Sequence, residues 1–227
     1  MMQSFEKHFD SLQRAILECE YDPRVNGDCS CGEGRAIYRC EECFGLPPSC
    51  EPCLIRTHRH LPFHHVRQWQ GNHFTRTSLG SLGLIIHLGH DMTPCPNVAA
   101  ASKGRAYTVV NTNGIHKINI NCCHCVDATD DAFQLTSAGL FPATIEKPET
   151  VFTFAALKDF HAHTLASKKS AYDHFAALRK LTNNAFPDQT PVSNLFTHEN
   201  KILYLNYITG SLSQISLSCM SVEIPHF

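Results

Sequence analysis

Three cysteine pairs lie close together near the N-terminus: Cys29-x-Cys31, Cys40-x-x-Cys43 and Cys50-x-x-Cys53. His58 and His64 follow, in a run that also holds His60 and His65. Six thiols and two imidazoles make four pairs of soft donors, enough for two tetrahedral zinc ions. Spacing alone leaves open which of the four histidines take part. A second Cys-x-Cys, Cys123-His124-Cys125, comes later, with His87, His90 and Cys95 ahead of it. His90, Cys95, Cys123 and Cys125 would complete a third four-donor set. Cys122 and His116 share the opposite strand face and are left out. The alternative for this third group is a set of free buried thiols, which behave as small hydrophobes.

The donor types speak for structure rather than catalysis. A catalytic zinc keeps one position open and has a general base nearby, whereas these sets are closed and rich in thiolate. The deaminase pattern is absent, because Glu51-Pro52 lies inside a Cys-x-x-Cys rather than ahead of one. No phosphate-binding glycine loop, nucleophile elbow or carboxylate cluster appears. His161 and His163 lie two apart on an expected helix, where both rings cannot share a face. No catalytic residue and no organic cofactor is assigned.

The elements that must position these donors can be read from pattern. Residues 29–64 are too few to bury a sizeable core, so metal must supply much of their folding free energy. Cys29 and Cys31 are expected on a short strand, where residues two apart face one way. Cys40/Cys43 and Cys50/Cys53 are expected at turns. Phe5, Phe9, Leu12 and Ile16 predict an amphipathic helix over 3–18, docked on its own domain or on a partner. Leu84 to Ile86 reads as a buried strand. Tyr107–Val110 and Ile115–Asn121 flank Asn113-Gly114, a hairpin signal. Thr153 caps a helix over Phe154–Leu165, and Ser170 with Asp173 opens another to about Leu181. The fold class is α+β.

Composition narrows the setting. The chain has 227 residues with 19 Lys and Arg against 21 Asp and Glu, so no strong field points to nucleic acid or membrane. Residues 1–20 are polar and amphipathic and do not read as a signal peptide. No apolar run approaches the roughly 18 residues of a membrane span. Twelve cysteines in a reducing, intracellular setting are expected to bind metal rather than form disulfides.

The order of the eight N-terminal donors resembles the cross-brace of B-box domains, in which alternate pairs share a metal. By that analogy Cys29, Cys31, Cys50 and Cys53 hold one zinc. Cys40, Cys43, His58 and His64 hold the other. A wider resemblance runs from Cys29-x-Cys31 through Tyr38-x-Cys40, Pro62-x-His64 and Trp69 to Leu82-Gly83-Leu84, Leu88-Gly89-His90 and Cys95. It continues with Asn113-Gly114-Ile115-His116, Cys123-x-Cys125, Phe141-Pro142-Ala143-Thr144, Phe152-Thr153-Phe154 and Leu181-Thr182-x-Asn184. Over roughly residues 25–190 this pattern resembles the second kind of CxC cysteine cluster, found ahead of fungal KDZ (Kyakuja-Dileera-Zisupton) transposases. The resemblance selects His58 and His64 over His60 and His65, which are expected to be solvated. Cys122 departs from it.

The resemblance implies a nuclear, non-catalytic zinc module that targets a transposase to DNA or chromatin. An RNase-H-like catalytic domain would follow downstream, so the chain is expected to be a truncated fragment. The other function expected is a zinc-dependent protein-interaction module like a B-box. Arg56, Arg59, Arg67 and Arg76 near the histidines favour DNA, whereas near-neutral charge favours protein. No membrane partner is expected, and the sequence does not give the oligomeric state. The expected divisions are 1–25, an N-terminal helix, and 26–70, the B-box-like double-zinc module. A β-rich region with the third zinc fills 71–145, and 146–191 begins the transposase-associated helices. Residues 192–227 lose the pattern. Val192-Ser193-Asn194 is encodable by GTA AGT AAY, which contains a splice-donor sequence, so this tail is expected to be translated intron or a decayed frame. A lineage-specific C-terminus is the alternative, and genomic DNA lacking GTAAGT at these codons excludes the intron.

Overall fold

The computed structural model describes residues 5–99 and 101–190. The expectation for 192–227 lies outside the described residues. The chain divides after Leu82 into two compact units. Among the described residues, two sheets and five helices make it α+β.

The first unit opens with helix α1 (Phe9–Glu20), which buries no residue. The expected docking of its apolar face onto its own domain therefore does not occur. Only its C-terminal end is fixed. The Arg39 guanidinium donates to the carbonyls of Cys19 and Glu20 at 3.3 and 3.2 Å, and to the Glu20 carboxylate at 3.2 Å. Strands β1 (Tyr38–Cys40), β2 (Val66–Trp69) and β3 (Phe74–Thr77) form an antiparallel sheet in that order. Between β1 and β2 lies α2 (Glu51–Thr57), with Pro52 in its first turn, where the missing N–H costs nothing. Leu54 from α2 and Val66 from β2 are fully buried. So few apolar side chains leave the fold dependent on whatever joins its cysteines.

The second unit carries a five-stranded mixed sheet. Strands β4 (Ile85–His87), β5 (Arg105–Asn111), β6 (Gly114–Asn121), β7 (Leu140–Pro142) and β8 (Thr150–Thr153) lie in the order β4-β6-β5-β8-β7. The Asn113-Gly114 signal marks the β5–β6 hairpin, with Asn111 opposite Gly114. Gly114 has φ 144, a value other residues rarely adopt. Strand β8 adds parallel to β5, and β4 adds parallel to β6. Helix α3 (Asp131–Ser137) precedes β7. Helix α4 (Phe154–Ser167) starts where Thr153 Oγ1 accepts the Ala156 N–H at 3.1 Å. Helix α5 (Ala171–Thr182) starts where Ser170 Oγ accepts the Asp173 N–H at 3.1 Å. Val110, Ile115 and Phe152 from the sheet pack with Leu157 and Phe160 of α4 and Phe175 and Leu178 of α5. Sequence pattern located both helices, whereas β7 and β8 were not expected. The expected β-rich region 71–145 is shared between the units, because β3 pairs with β2 in the first.

Candidate metal centres

The structure gathers three groups of four donors, and within each group every ligand atom lies within 4.8 Å of the others. The first is Cys29, Cys31, Cys50 and Cys53. Cys29 and Cys31 do not lie on a strand. They sit in a turn closed by the Gly32 N–H to the Cys29 carbonyl and the Cys29 N–H to the Gly34 carbonyl, both 2.8 Å. Gly32, at φ 74, reverses the chain before pairing can extend beyond one isolated bridge at Asp28–Arg35. Cys50 and Cys53 are not at a simple turn either. Cys50 precedes the first residue of α2, and Cys53 lies in its first turn. Cys31 and Cys50 sulfurs are 3.5 Å apart. Backbone N–H groups of Cys50 and Glu33 donate to the sulfurs of Cys29 and Cys31 at 3.3 and 3.4 Å. The Arg56 guanidinium donates to Cys53 Sγ at 3.1 Å. Gly34 leaves little room here, since a Cβ on it would meet the Cys50 Cβ at 3.1 Å.

The second group is Cys40, Cys43, His58 and His64. Cys40 ends β1, and the Cys43 N–H donates back to its sulfur at 3.3 Å. His58 closes α2 and is fully buried. Its Nδ1–H donates to the Leu54 carbonyl at 2.9 Å, which leaves Nε2 facing Cys43 Sγ at 3.5 Å. A backbone acceptor of this kind fixes the tautomer of a ligating histidine. His64 turns Nδ1 toward Cys40 and Cys43, each 3.4 Å away. The four pairs interleave, first with third and second with fourth. His60 is exposed. His65, expected in solvent, is instead held by Glu42, whose carboxylate meets both its Nδ1 and its backbone N–H at 2.7 Å.

The third group is His90, Cys95, Cys123 and Cys125. Cys123 and Cys125 follow the end of β6. His90 lies in a single turn, His90–Met92, whose φ values of 47, 51 and 63 are all left-handed. Such residues cost roughly 1–2 kcal/mol each and persist only where the surroundings hold them. The turn puts His90 Nε2 at 3.2 Å from Cys123 Sγ and 3.4 Å from Cys125 Sγ. Cys95 Sγ is 3.8 Å from both sulfurs. Cys122 is buried apart from the group, and His116 bonds Asn113 at 2.9 Å.

These distances suit a metal ion held by soft donors. Zinc–sulfur bonds of about 2.3 Å make a tetrahedron with edges of about 3.8 Å. A disulfide would need about 2.05 Å. The eleven described cysteines are all free. Electrostatics within each group also favours a cation. Backbone N–H groups, first that of Cys31, bring the Cys29 thiol down to about 6, and that of His124 brings Cys95 to about 6. Their neighbours move the other way. Contact with Cys31 and Cys50 raises Cys53 to about 12, contact with Cys123 raises Cys125 to about 11, and burial raises Cys40 to about 12. Each crowded group thus resists further negative charge, a resistance that a divalent ion removes. Burial lowers His58, keeping its imidazole neutral as a ligand must be. The residues therefore fit a metal in all three places.

Sequence reasoning missed the supports: Gln134, Glu42, the Leu54 carbonyl, Gly34 and Gly89. Of these only the Glu42 carboxylate is a ligand type, and it binds His65 rather than joining a donor group. The expected basic patch is largely compensated. Arg67 and Arg76 both meet the Glu41 carboxylate, Arg76 at 3.1 Å, and Arg67 also lies 3.7 Å from Glu20. No described helix is long and apolar enough to cross a membrane. No curated protein and no solved structure matches the chain. One family does. Residues 79–186, which span the third donor group and begin after the first two, match the CxC2 like cysteine cluster associated with KDZ transposases, so the resemblance drawn from the sequence holds across that span.

Proposed function

We propose that this chain is a non-catalytic, zinc-stapled module of the KDZ transposase system, nuclear in location, and that it acts by binding a chromatin or transposase protein. The matched family is a cysteine cluster associated with transposases and not itself a catalytic domain. The observation that carries the reading is the presence of three closed four-donor groups with tetrahedral edge lengths. In the first unit, which holds two of them, metal would supply folding free energy that the small apolar core does not. Cys29, Cys31, Cys50 and Cys53 would hold one ion, and Cys40, Cys43, His58 and His64 a second. His90, Cys95, Cys123 and Cys125 would hold the third. Thiolate and imidazole donors favour zinc over magnesium or calcium.

Pairing of Arg67 and Arg76 with Glu41 supports a protein partner over DNA, because nonspecific DNA affinity rests on basic groups that meet phosphate. DNA targeting is the second reading, supported by the transposase association alone. Elemental analysis of protein purified under reducing conditions tests the metal, with three zinc ions per chain expected. Two would reduce the third group to buried thiols, and none in a folded protein would overturn the proposal. A titration with duplex DNA tests the partner. Weak binding is expected, and tight binding that falls steeply with salt would favour the DNA reading.

A further inference from the structure

The third donor group is the most open of the three. His90 is the only exposed donor among the twelve. A cavity of about 570 Å³ is lined by Cys123, His124 and Cys125, so a small molecule can reach two of the sulfurs. The sulfurs also differ in what donates to them. Arg56 donates to Cys53, the Cys50 N–H to Cys29, the Glu33 N–H to Cys31 and the Cys43 N–H to Cys40. Each such bond draws electron density from the thiolate and makes it a poorer nucleophile. Cys125 Sγ accepts no backbone N–H and no cationic side chain; its neighbours are His90 Nε2 at 3.4 Å and Cys95 Sγ at 3.8 Å. Cys43 shares this lack, but it belongs to the unit whose folding depends on metal, where a donor leaves only if the unit opens.

We infer that Cys125 is a site of oxidation: a hydroperoxide entering the cavity converts Cys125 and Cys95 into a disulfide, and the third group releases its metal. The inference rests on the zinc reading of this group. The Cys125 thiolate attacks one oxygen of hydrogen peroxide and the O–O bond breaks. The sulfur is oxidised to a sulfenic acid, and the departing hydroxide takes a proton to become water. Cys95 Sγ then attacks that sulfur; the S–S bond forms as the S–O bond breaks, and the second oxygen also leaves as water. Two thiolates, one peroxide and two protons thus give one disulfide and two waters. Cys95 suits the second role, because it is 3 % exposed and backbone N–H groups of His124 and Asn97 face its sulfur. The two sulfurs must close from 3.8 Å to about 2.05 Å. His90 and Cys123 remain, too few for a closed tetrahedral site. The left-handed turn at His90–Met92 then loses what holds it and relaxes. The second unit stays folded, because Val110, Ile115 and Phe152 keep their apolar packing with α4 and α5. The third centre can therefore open and close without unfolding the chain.

The experiment uses the full chain, zinc-loaded, with reductant removed and a chromophoric chelator present to report free zinc. Zinc content before treatment tests the zinc reading on its own, so the response to peroxide tests this inference separately. On titration with hydrogen peroxide, one zinc per chain is expected to leave first. A Cys95–Cys125 disulfide should appear in the peptide map while the melting transition of the second unit is retained. A thiol reductant with added zinc should restore the lost ion. Cys125→His keeps a zinc donor and removes the thiolate, so the early release should be lost. Cys122→Ser lies outside the group and should leave the release unchanged. Where the histidine variant does not load zinc, the wild-type peptide map decides. Release that begins at the first unit, read by alkylation of its cysteines, would overturn the inference, as would release of all the zinc together. Early release that persists in zinc-loaded C125H, or a map that joins other cysteines, would remove Cys125 from the role.

Discussion

The side-chain amide of Gln134 grips the backbone of Cys123 from both sides. Its Oε1 accepts the Cys123 N–H at 2.7 Å, and its Nε2 donates to the Cys123 carbonyl at 3.0 Å. The same Nε2 donates to the Thr129 carbonyl at 2.7 Å. Gln134 thereby ties helix α3 to the loop that presents two of the four donors of the third group. A glutamine is no zinc ligand, yet it determines where a ligand points.

Replacing Gln134 by Leu keeps the size and removes both bonds. The Cys123 N–H and carbonyl are then left without these partners while the sulfur chemistry is untouched. Loss of such a support typically costs 10–100-fold in metal affinity. Competition with a chromophoric chelator should therefore show one zinc per chain released more readily, and the other two unaffected. Equal affinity at all three sites in Q134L would remove Gln134 from any positioning role.

Gly89 gives a second handle on the same group. At φ 78 it adopts a conformation that costs other residues roughly 1–2 kcal/mol, and a Cβ on it would meet the Cys123 Cβ at 3.3 Å. Gly89→Ala is expected to lower stability by about 1–3 kcal/mol and to weaken zinc at the third site. Chemical denaturation with and without added zinc reads both effects. The difference between wild type and variant should shrink when zinc is stripped from both proteins, because a relaxed loop no longer presses position 89 against Cys123.

Cys40→Ser removes a donor from the second group, where His64 Nδ1 lies 3.4 Å from the sulfurs of both Cys40 and Cys43. A structural zinc contributes on the order of 10–16 kcal/mol of apparent binding free energy in small zinc modules. The first unit has little apolar core to replace it. The variant should lose one zinc by elemental analysis, and the first unit should become protease-sensitive while the second keeps its melting transition. Full zinc content with unaltered melting would refute the assignment.

Much of this was legible because cysteine and histidine spacing is local. Cys40-x-x-Cys43 and Cys50-x-x-Cys53 announce themselves within four residues, and Thr153 and Ser170 mark helix starts within three. Partnering between pairs is not local. It entered through the B-box analogy, and the structure brings the same quartets together. Sheet order escaped for the same reason. Strand β7 is three residues long, and β8 pairs with β5 across some forty intervening positions, so neither leaves a periodicity to read. The left-handed turn at His90–Met92 escaped because His90, Asp91 and Met92 carry no glycine to signal it. Cys29-x-Cys31 misled the strand expectation, since a turn closed at Gly32 also brings two sulfurs to one side.

Acid should destabilise the second unit through His174. This side chain is buried between α5 and α4, 3.9 Å from the Asp159 carboxylate, with rings of Phe160, His163 and Phe175 around it. Burial, and next the charge of Lys169, push its pKa below the usual 6.5, while Asp159 pulls the other way. His163, which also faces Asp159 at 3.7 Å, opposes a second positive charge. In the unfolded chain the histidine titrates near 6.5, so below that pH the unfolded state binds more protons than the folded one. Stability is therefore complete above the ordinary histidine value, falls as pH drops below it, and levels off once the folded form is also protonated. His174→Phe keeps an apolar ring beside Phe160 and Phe175 and removes the proton site. Denaturation of wild type and H174F from roughly pH 7.5 down to pH 5 isolates this contribution from acid release of metal, which both proteins share. Their stability difference should shift steadily in favour of H174F as the pH falls. A difference that stays constant over that range would mean His174 is protonated as easily when folded as when unfolded.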